Sequence, residues 1–177
     1  MNIVFLAISY ILSGLFMKLS DDFYDEKNNK IIAIILGVLC GLFTGIAVVG
    51  NIDAAYIFIG ILLGNIIGFK VDGIHHIFSL VVLLLFILVF SIPHLNLILL
   101  GILVLSALID EIGNDNKYIY SKSKFLMYFF DYRFTMKVVI FILAILGYLD
   151  IISFMMFILF ELSYETGRVL FEKYVLP

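Results

Sequence analysis

Two clusters of carboxylates in this chain have the residue types and the spacing to bind a cation. The first holds Asp21, Asp22 and Asp25, which fall within one helical turn directly after an apolar run. Three carboxylates at such close spacing repel one another unless a cation lies among them. The spacing therefore indicates a metal site where the first apolar run ends, or else a solvated juxtamembrane loop rich in Asp and Lys.

The second cluster holds Asp110, Glu111 and Asp115, which follow apolar Ile109. Carboxylates near membrane depth are costly unless they are paired or ligated, so we predict that this cluster also holds metal. Further candidates for the same site lie in other segments: Asp72, His75, His76, Glu161 and Glu165. Glu161 could ligate metal or pair with Lys137 or Arg133, and both alternatives stay open.

The adjacent pair His75 and His76 carries a specific expectation. Neighbouring side chains on a helix point about 100° apart, so we expect that the two imidazoles do not easily share one site. One of them could bind metal or act as a general base, and both could instead be ordinary loop histidines.

The elements that position these residues are predicted to be membrane-spanning helices. The chain has 177 residues, of which 64% are hydrophobic and 14% charged, whereas soluble domains carry about 25% charged residues. The apolar runs are continuous and do not alternate with polar residues, which favours helices over strands. We therefore predict an all-α bundle that forms a single transmembrane domain over residues 1–177.

Seven apolar runs are candidates for spans, and several of them are short for a hydrocarbon core about 30 Å thick. They are Ile3–Met17, Ile31–Gly50, Ala54–Phe69, Ile77–Ile92, Leu95–Ile109, Phe134–Leu149 and Ile151–Phe171. An aromatic stretch, Phe125–Phe130, precedes the sixth run and is expected to lie in the membrane interface.

The distribution of charge predicts the orientation of the seven spans. If all seven cross, all 11 Lys and Arg residues fall on one side, and so do all 14 carboxylates except Asp53 and Asp150. The positive-inside rule makes that side cytoplasmic, with the N-terminus outside and the C-terminus inside. We expect a multi-pass protein of the plasma membrane.

Glycine recurs at a spacing of four in the second and third apolar runs. The two stripes are Gly37, Gly41, Gly45 and Gly60, Gly64, Gly68. Small residues at this spacing let helix backbones approach closely. The stripes indicate plain helix–helix packing, or else a close-packed hairpin or a groove for a lipid tail.

Acidic residues with basic residues among them at the mouth of a helical bundle suit a Mg²⁺-bound diphosphate. Mg²⁺ takes one or two carboxylates together with phosphate oxygens and water, and cations hold the remaining phosphate charge. The basic residues at the right depth are Lys18, Arg133 and Lys137, which we predict to be catalytic. The predicted cofactor is Mg²⁺, and the predicted ligand is a membrane lipid or prenyl diphosphate.

The first cluster has the form DDxxD, and the stretch from Asp110 to Asp115 forms a second acidic motif. Two such motifs at cytoplasmic helix ends resemble the UbiA superfamily of intramembrane prenyltransferases. The resemblance implies prenyl transfer from a diphosphate, with one Mg²⁺ on Asp21, Asp22 and Asp25. A second Mg²⁺ would lie on Asp110, Glu111 and Asp115, so the ends of the first and fifth helices should converge.

Two other classes of function stay open. The acidic face could concentrate cations for a divalent-cation transporter or channel, or the chain could be a non-catalytic membrane subunit or lipid-binding scaffold. The chain could form homo-oligomers in both of these classes. Motifs for nucleotide binding, zinc proteases and serine hydrolases are absent from the sequence, and no basic aromatic patch indicates nucleic acid.

Overall fold

The structure, a computed structural model, describes residues 1–116, 118 and 122–176. Within these ranges the chain forms eight α-helices and no strand. The all-α prediction is confirmed. The helices are α1 (Ile3–Asp25), α2 (Lys30–Gly50), α3 (Ile52–Ile67), α4 (Ile74–Phe90), α5 (Leu97–Asp115), α6 (Lys124–Asp131), α7 (Phe134–Ile145) and α8 (Ile151–Tyr174). Lys117, one of the basic residues counted above, lies outside the described residues.

Asparagine side chains fix where three of the helices begin. Asn2 accepts a hydrogen bond from the Val4 amide at the start of α1, at 3.0 Å. Asn29 and Asn96 cap α2 and α5 in the same way. Each cap satisfies amides that have no partner inside the helix, so polar residues between apolar runs define the boundaries.

Two helices extend past their apolar runs into the polar flanks, as short runs require. The carboxylates that were expected to follow the first and fifth spans lie within the last turns of α1 and α5. The polar residues have helix-compatible backbones and side chains that find partners, so helix formation continues past the apolar run. This places both acidic clusters on rigid elements.

Three helices are long and apolar enough to cross a membrane: α1, α2 and α5. The helices α3, α4 and α7 are apolar but shorter. Large apolar side chains are widely exposed; Leu97 is 80% exposed and Leu88 78%. Apolar surface on this scale is covered by lipid or protein in stable molecules. These features indicate a membrane protein.

The chain divides into two compact units. The first consists of Met1–Asn51, Val71–Pro93 and Met156–Pro177, and the second of Ile52–Lys70 and His94–Met155. The first unit therefore contains α1, α2, α4 and most of α8. The second contains α3, α5, α6, α7 and the beginning of α8.

In the first unit, α2 contacts both α1 and α4. Its glycine stripe faces α4, because a Cβ on Gly37 would lie 2.6 Å from the His75 carbonyl oxygen and one on Gly45 would clash with the Phe86 ring. On the other side of α2, Thr44 donates a hydrogen bond to the Ser13 hydroxyl of α1 at 3.2 Å. The stripe serves close helix–helix packing, as predicted.

In the second unit, the glycine stripe of α3 faces α5. A Cβ on Gly60 would lie 2.9 Å from the Leu103 Cβ, and one on Gly64 would lie 2.7 Å from the Ala107 Cβ. A carboxylate also connects α3 to the start of α8 in this unit. Asp53 accepts hydrogen bonds from the Asp150 amide at 2.7 Å and the Ser153 hydroxyl at 2.8 Å, at the start of α8.

Candidate metal centre

Asp21 of α1 faces two imidazoles of α4 in the first unit. Its Oδ1 atom lies 3.1 Å from His75 Nε2 and 3.7 Å from His76 Nε2. One ligand atom from each residue lies within 4.8 Å of the other two. Among the described residues this is the one group of three His, Cys, Asp or Glu side chains close enough to share a metal ion.

The expectation that adjacent histidines would not easily share one site is wrong. His75 and His76 lie in the first turn of α4, with ring centroids 4.0 Å apart and rings inclined by 38°. Both Nε2 atoms nevertheless lie close to Asp21 Oδ1, at 3.1 and 3.7 Å. Helical spacing alone therefore underestimated how closely two long side chains can converge.

The backbone around the histidines is unusually close-packed. The absence of a side chain on Gly37 allows α2 to approach the His75 carbonyl. The absence of a side chain on Gly73 leaves room for the His75 imidazole, because a Cβ there would lie 2.5 Å from His75 Nδ1. Two glycines thus fix where the His75 imidazole lies, and the second of them also provides the cap position of α4.

His75 is 3% exposed, and its Nδ1 has no hydrogen-bond partner among the described residues. The Tyr24 ring covers the imidazole, with centroids 4.5 Å apart. Buried polar atoms without partners are uncommon and often mark a functional site or an ion.

His76 precedes the predicted fourth span and is more accessible. Burial lowers the pKa of His76 below the usual imidazole value, against the opposing effect of the carboxylates of Asp21, Asp72 and Asp25. A lowered pKa favours the neutral imidazole, which is the form that binds metals. Asp72 and Asp25 thus act on the centre electrostatically.

A small cavity of about 30 Å³ lies beside the three side chains. Its remaining lining comes from Met17, Ser20, Gly37, Cys40 and Ser79. A volume of this size holds a water molecule or an ion, and it is too small for a lipid headgroup.

The other carboxylates of the DDxxD motif have different surroundings. Asp22 is buried and pairs with Lys18 at 2.8 Å, one helical turn earlier. The Lys18 ammonium also lies 5.6 Å from the centroid of the Tyr164 ring. Asp25 is exposed. The motif therefore provides one carboxylate to the histidines and one to a lysine.

The second acidic motif lies in the second unit, where its members contact protein groups. Asp110 is 1% exposed and accepts hydrogen bonds from the Thr135 and Met136 amides, at 3.0 and 2.8 Å. These are the amides at the start of α7 that an N-cap residue would satisfy, and Arg133 at the cap position makes no side-chain cap. Asp110 caps α7 from a neighbouring helix.

The remaining members of this motif form ion pairs. Glu111 lies 3.4 Å from Arg133, and Asp115 lies 2.5 Å from Lys70. Arg133 adopts a left-handed backbone conformation, with φ of 48°, which is uncommon for a residue with a side chain. Lys137 donates to the Tyr132 carbonyl. That this motif binds metal, and that it meets the first one, stay predictions.

The other candidates lie elsewhere in the first unit. Glu161 is buried in α8, and Glu165 pairs with Arg168 at 2.5 Å. Sequence reasoning missed the part that Gly37, Cys40 and Ser79 play in the cavity. The spacing of Gly37 in its stripe predicted close packing, but nothing in the sequence indicated that the packing partner would be His75.

Comparisons with known proteins identify no relative: the chain matches no protein-family model, no curated protein and no solved structure.

Proposed function

We propose that this chain is a divalent-metal-dependent membrane enzyme that acts on a phosphorylated or diphosphorylated lipid, with prenyl group transfer as the preferred reaction. The observation that carries the proposal is the approach of two imidazoles to Asp21 at the polar end of α1. A carboxylate and two imidazoles can hold a divalent ion, and such an ion neutralises the phosphate charge that develops on a leaving group.

The proposed topology has seven spans, with the N-terminus outside and the C-terminus in the cytoplasm of a plasma-membrane protein. Each of the seven apolar runs contains a helix, which supports the span count. The confinement of all 11 Lys and Arg residues to one side supports the orientation. In this topology the end of α1 that carries Asp21 faces the cytoplasm.

The proposed chemistry assigns roles to residues near that end of the first unit. The allylic carbon–oxygen bond breaks, and its electron pair leaves with the diphosphate. The allylic carbon then forms a bond to a nucleophilic atom of the acceptor, which releases a proton to water. Lys18, which lies one turn before Asp22, binds phosphate oxygens as the charge grows. Tyr24 and Phe23 offer aromatic faces to the allylic cation. That Arg133 and Lys137, which lie in the second unit, are catalytic stays a prediction from the sequence.

The function is tested with the full chain in nanodiscs, using farnesyl diphosphate as the probe and measuring its binding and the release of diphosphate. We expect both to require a divalent ion and to fall at least about ten-fold in Asp21→Asn. The exposed Asp131→Asn is the matched control and should behave as the unchanged protein. Diphosphate binding that needs neither the ion nor Asp21 contradicts the proposal and favours a non-catalytic scaffold.

The topology is tested separately by labelling with a membrane-impermeant maleimide. Cys40 is the one cysteine of the chain, so Cys40→Ser provides a cysteine-free background. In intact cells we expect labelling of His94→Cys and no labelling of Asn28→Cys until the membrane is permeabilised. Equal labelling of the two variants would contradict the seven-span arrangement.

A transporter of divalent cations is the second candidate, because polar side chains of α1 and α2 continue from the cavity along the first unit. Cys40 lines the cavity and lies 3.9 Å from the Thr44 hydroxyl, which in turn contacts Ser13. A liposome flux assay separates the two functions. Metal-dependent flux that Thr44→Val abolishes, without turnover of the lipid, would favour transport.

A further inference from the structure

We infer that the ion held by Asp21, His75 and His76 is a first-row transition metal ion of the Zn²⁺ type, bound by three protein ligands with a fourth position open to the adjacent cavity. This inference rests on the metal site of the proposed function and changes its expected occupant from Mg²⁺.

The ligand atoms have the identity that such an ion requires. Two of the three are imidazole nitrogens and only one is a carboxylate oxygen. Imidazole suits zinc, iron, copper and nickel, whereas Mg²⁺ prefers carboxylates, phosphates and water. Asp25, the carboxylate that a Mg²⁺ site of the DDxxD kind would also need, is exposed.

The distances also fit. Zinc bonds of about 2.0–2.1 Å in a tetrahedral arrangement separate neighbouring ligand atoms by roughly 3.4 Å. The two distances from Asp21 Oδ1 to the imidazole nitrogens, 3.1 and 3.7 Å, lie on either side of this value. The third separation, between the two imidazole ligand atoms, is within 4.8 Å.

The side chains are held in place before any ion arrives. His75 lies 3% exposed between Tyr24 and Gly73, and its buried Nδ1 has no partner in the described part of the chain. The other ring nitrogen, Nε2, lies 3.1 Å from Asp21 Oδ1, so it is the nitrogen of His75 that is placed to bind an ion beside the carboxylate.

Three protein ligands with an open position are the arrangement of catalytic zinc sites, whereas structural zinc sites use four. The cavity beside the cluster, about 30 Å³, has room for one water molecule in the fourth position. Ser20 and Ser79 line the same cavity and give it polar walls. The open position is where a water molecule would bind.

The experiment uses the full chain in detergent, stripped with a chelator and titrated with Co²⁺, whose visible absorption reports tetrahedral nitrogen and oxygen ligands. We expect one Co²⁺ per chain, displaced by Zn²⁺ at equal concentration and not by millimolar Mg²⁺. The variant His76→Gln should weaken binding at least about ten-fold. His94→Gln, an exposed histidine in the second unit, is the matched control and should bind unchanged.

Because His75 is buried, a substitution there would affect folding as well as metal binding. The test therefore uses His76→Gln and Asp21→Asn. Displacement of Co²⁺ by Mg²⁺, or equal affinity in His76→Gln and His94→Gln, overturns the inference. Mg²⁺-dependent binding of farnesyl diphosphate that persists in His76→Gln would contradict the inference of a zinc-type ion and would leave the proposed function intact. Tight Co²⁺ binding that has no effect on the binding of farnesyl diphosphate would support the inference and contradict the proposed function.

Discussion

Asp21 and Asp110 occupy equivalent places in the two units and have opposite surroundings. Both lie in the last turns of an apolar helix that is long enough to cross a membrane. Asp21 faces two imidazole nitrogens, and Asp110 faces two backbone amides. A metal ion can bind between Asp21 and the imidazoles, whereas the amides that face Asp110 are fixed by the helix to which they belong.

The comparison shows that a carboxylate at the polar end of an apolar helix does not by itself indicate a metal site. Asp53 supports this conclusion, because it accepts from the Asp150 amide and the Ser153 hydroxyl at the start of α8. A carboxylate at a helix N-terminus satisfies amides and interacts favourably with the helix dipole. The second unit uses two carboxylates in this way, and the chemical type of the partner separates the two roles.

The largest effect on stability is expected from Asp110→Ala. The substitution leaves two amides of α7 without acceptors, one buried and one part-buried, and each unsatisfied buried group costs about 1–3 kcal/mol. We expect the free energy of unfolding to fall by about 2–4 kcal/mol, seen as a lower melting temperature in detergent. Co²⁺ affinity of the folded protein should not change. A melting temperature equal to that of the unchanged chain would show that the cap is unimportant.

Gly37→Ala should affect both stability and metal binding. The new Cβ would lie 2.6 Å from the His75 carbonyl oxygen, so α4 must shift. Overpacking of this kind costs about 1–3 kcal/mol, and the shift moves an imidazole of the metal centre. The matched control is Gly101→Ala, where nothing lies within 4 Å of the new Cβ. Equal Co²⁺ affinity in the two variants would contradict the role given to Gly37.

Asp53→Ala should destabilise the second unit by about 1–2 kcal/mol, because two hydrogen bonds lose their acceptor. The substitution removes the acceptor for the Asp150 amide and for the Ser153 hydroxyl. Ser153→Ala, which removes only one of these bonds, should cost about half as much. Thermal unfolding measures both. Weaker Co²⁺ binding in Asp53→Ala would contradict the purely structural role given to Asp53.

The smallest effect is expected from Asp115→Asn. Its carboxylate pairs with Lys70 but is 59% exposed, and exposed ion pairs contribute about 0–1 kcal/mol. We expect a slightly lower melting temperature at low salt and no difference at high salt, where the pair is screened. A salt-independent loss of several degrees would give Asp115 a larger structural role than its exposure indicates.

The sequence predicted the helices well and the site only in part. Continuous apolar runs located seven helices, because burial or lipid exposure along a whole helix leaves a long signal. The spacing of Gly37, Gly41 and Gly45 predicted close packing, since only small residues allow it. Neither signal identified which helix would pack against the stripe, because pairing depends on contacts between residues distant in sequence.

The metal centre shows the same limit at the level of single side chains. The DDxxD pattern drew attention to Asp21, but it grouped this residue with Asp22 and Asp25, whose surroundings differ. The partners of Asp21 come from α4, more than fifty residues later in the chain. Helical spacing argued against a site shared by the two histidines, yet both Nε2 atoms lie beside Asp21 Oδ1.

The most direct test of the account compares Asp21→Asn with Asp110→Asn in one Co²⁺ titration, followed by thermal unfolding of the same samples. We predict that Asp21→Asn loses the visible Co²⁺ absorption with little change in melting temperature. Asp110→Asn should keep the absorption and melt at a lower temperature. Loss of Co²⁺ binding in Asp110→Asn alone, with Asp21→Asn unaffected, would contradict the assignment of the two carboxylates.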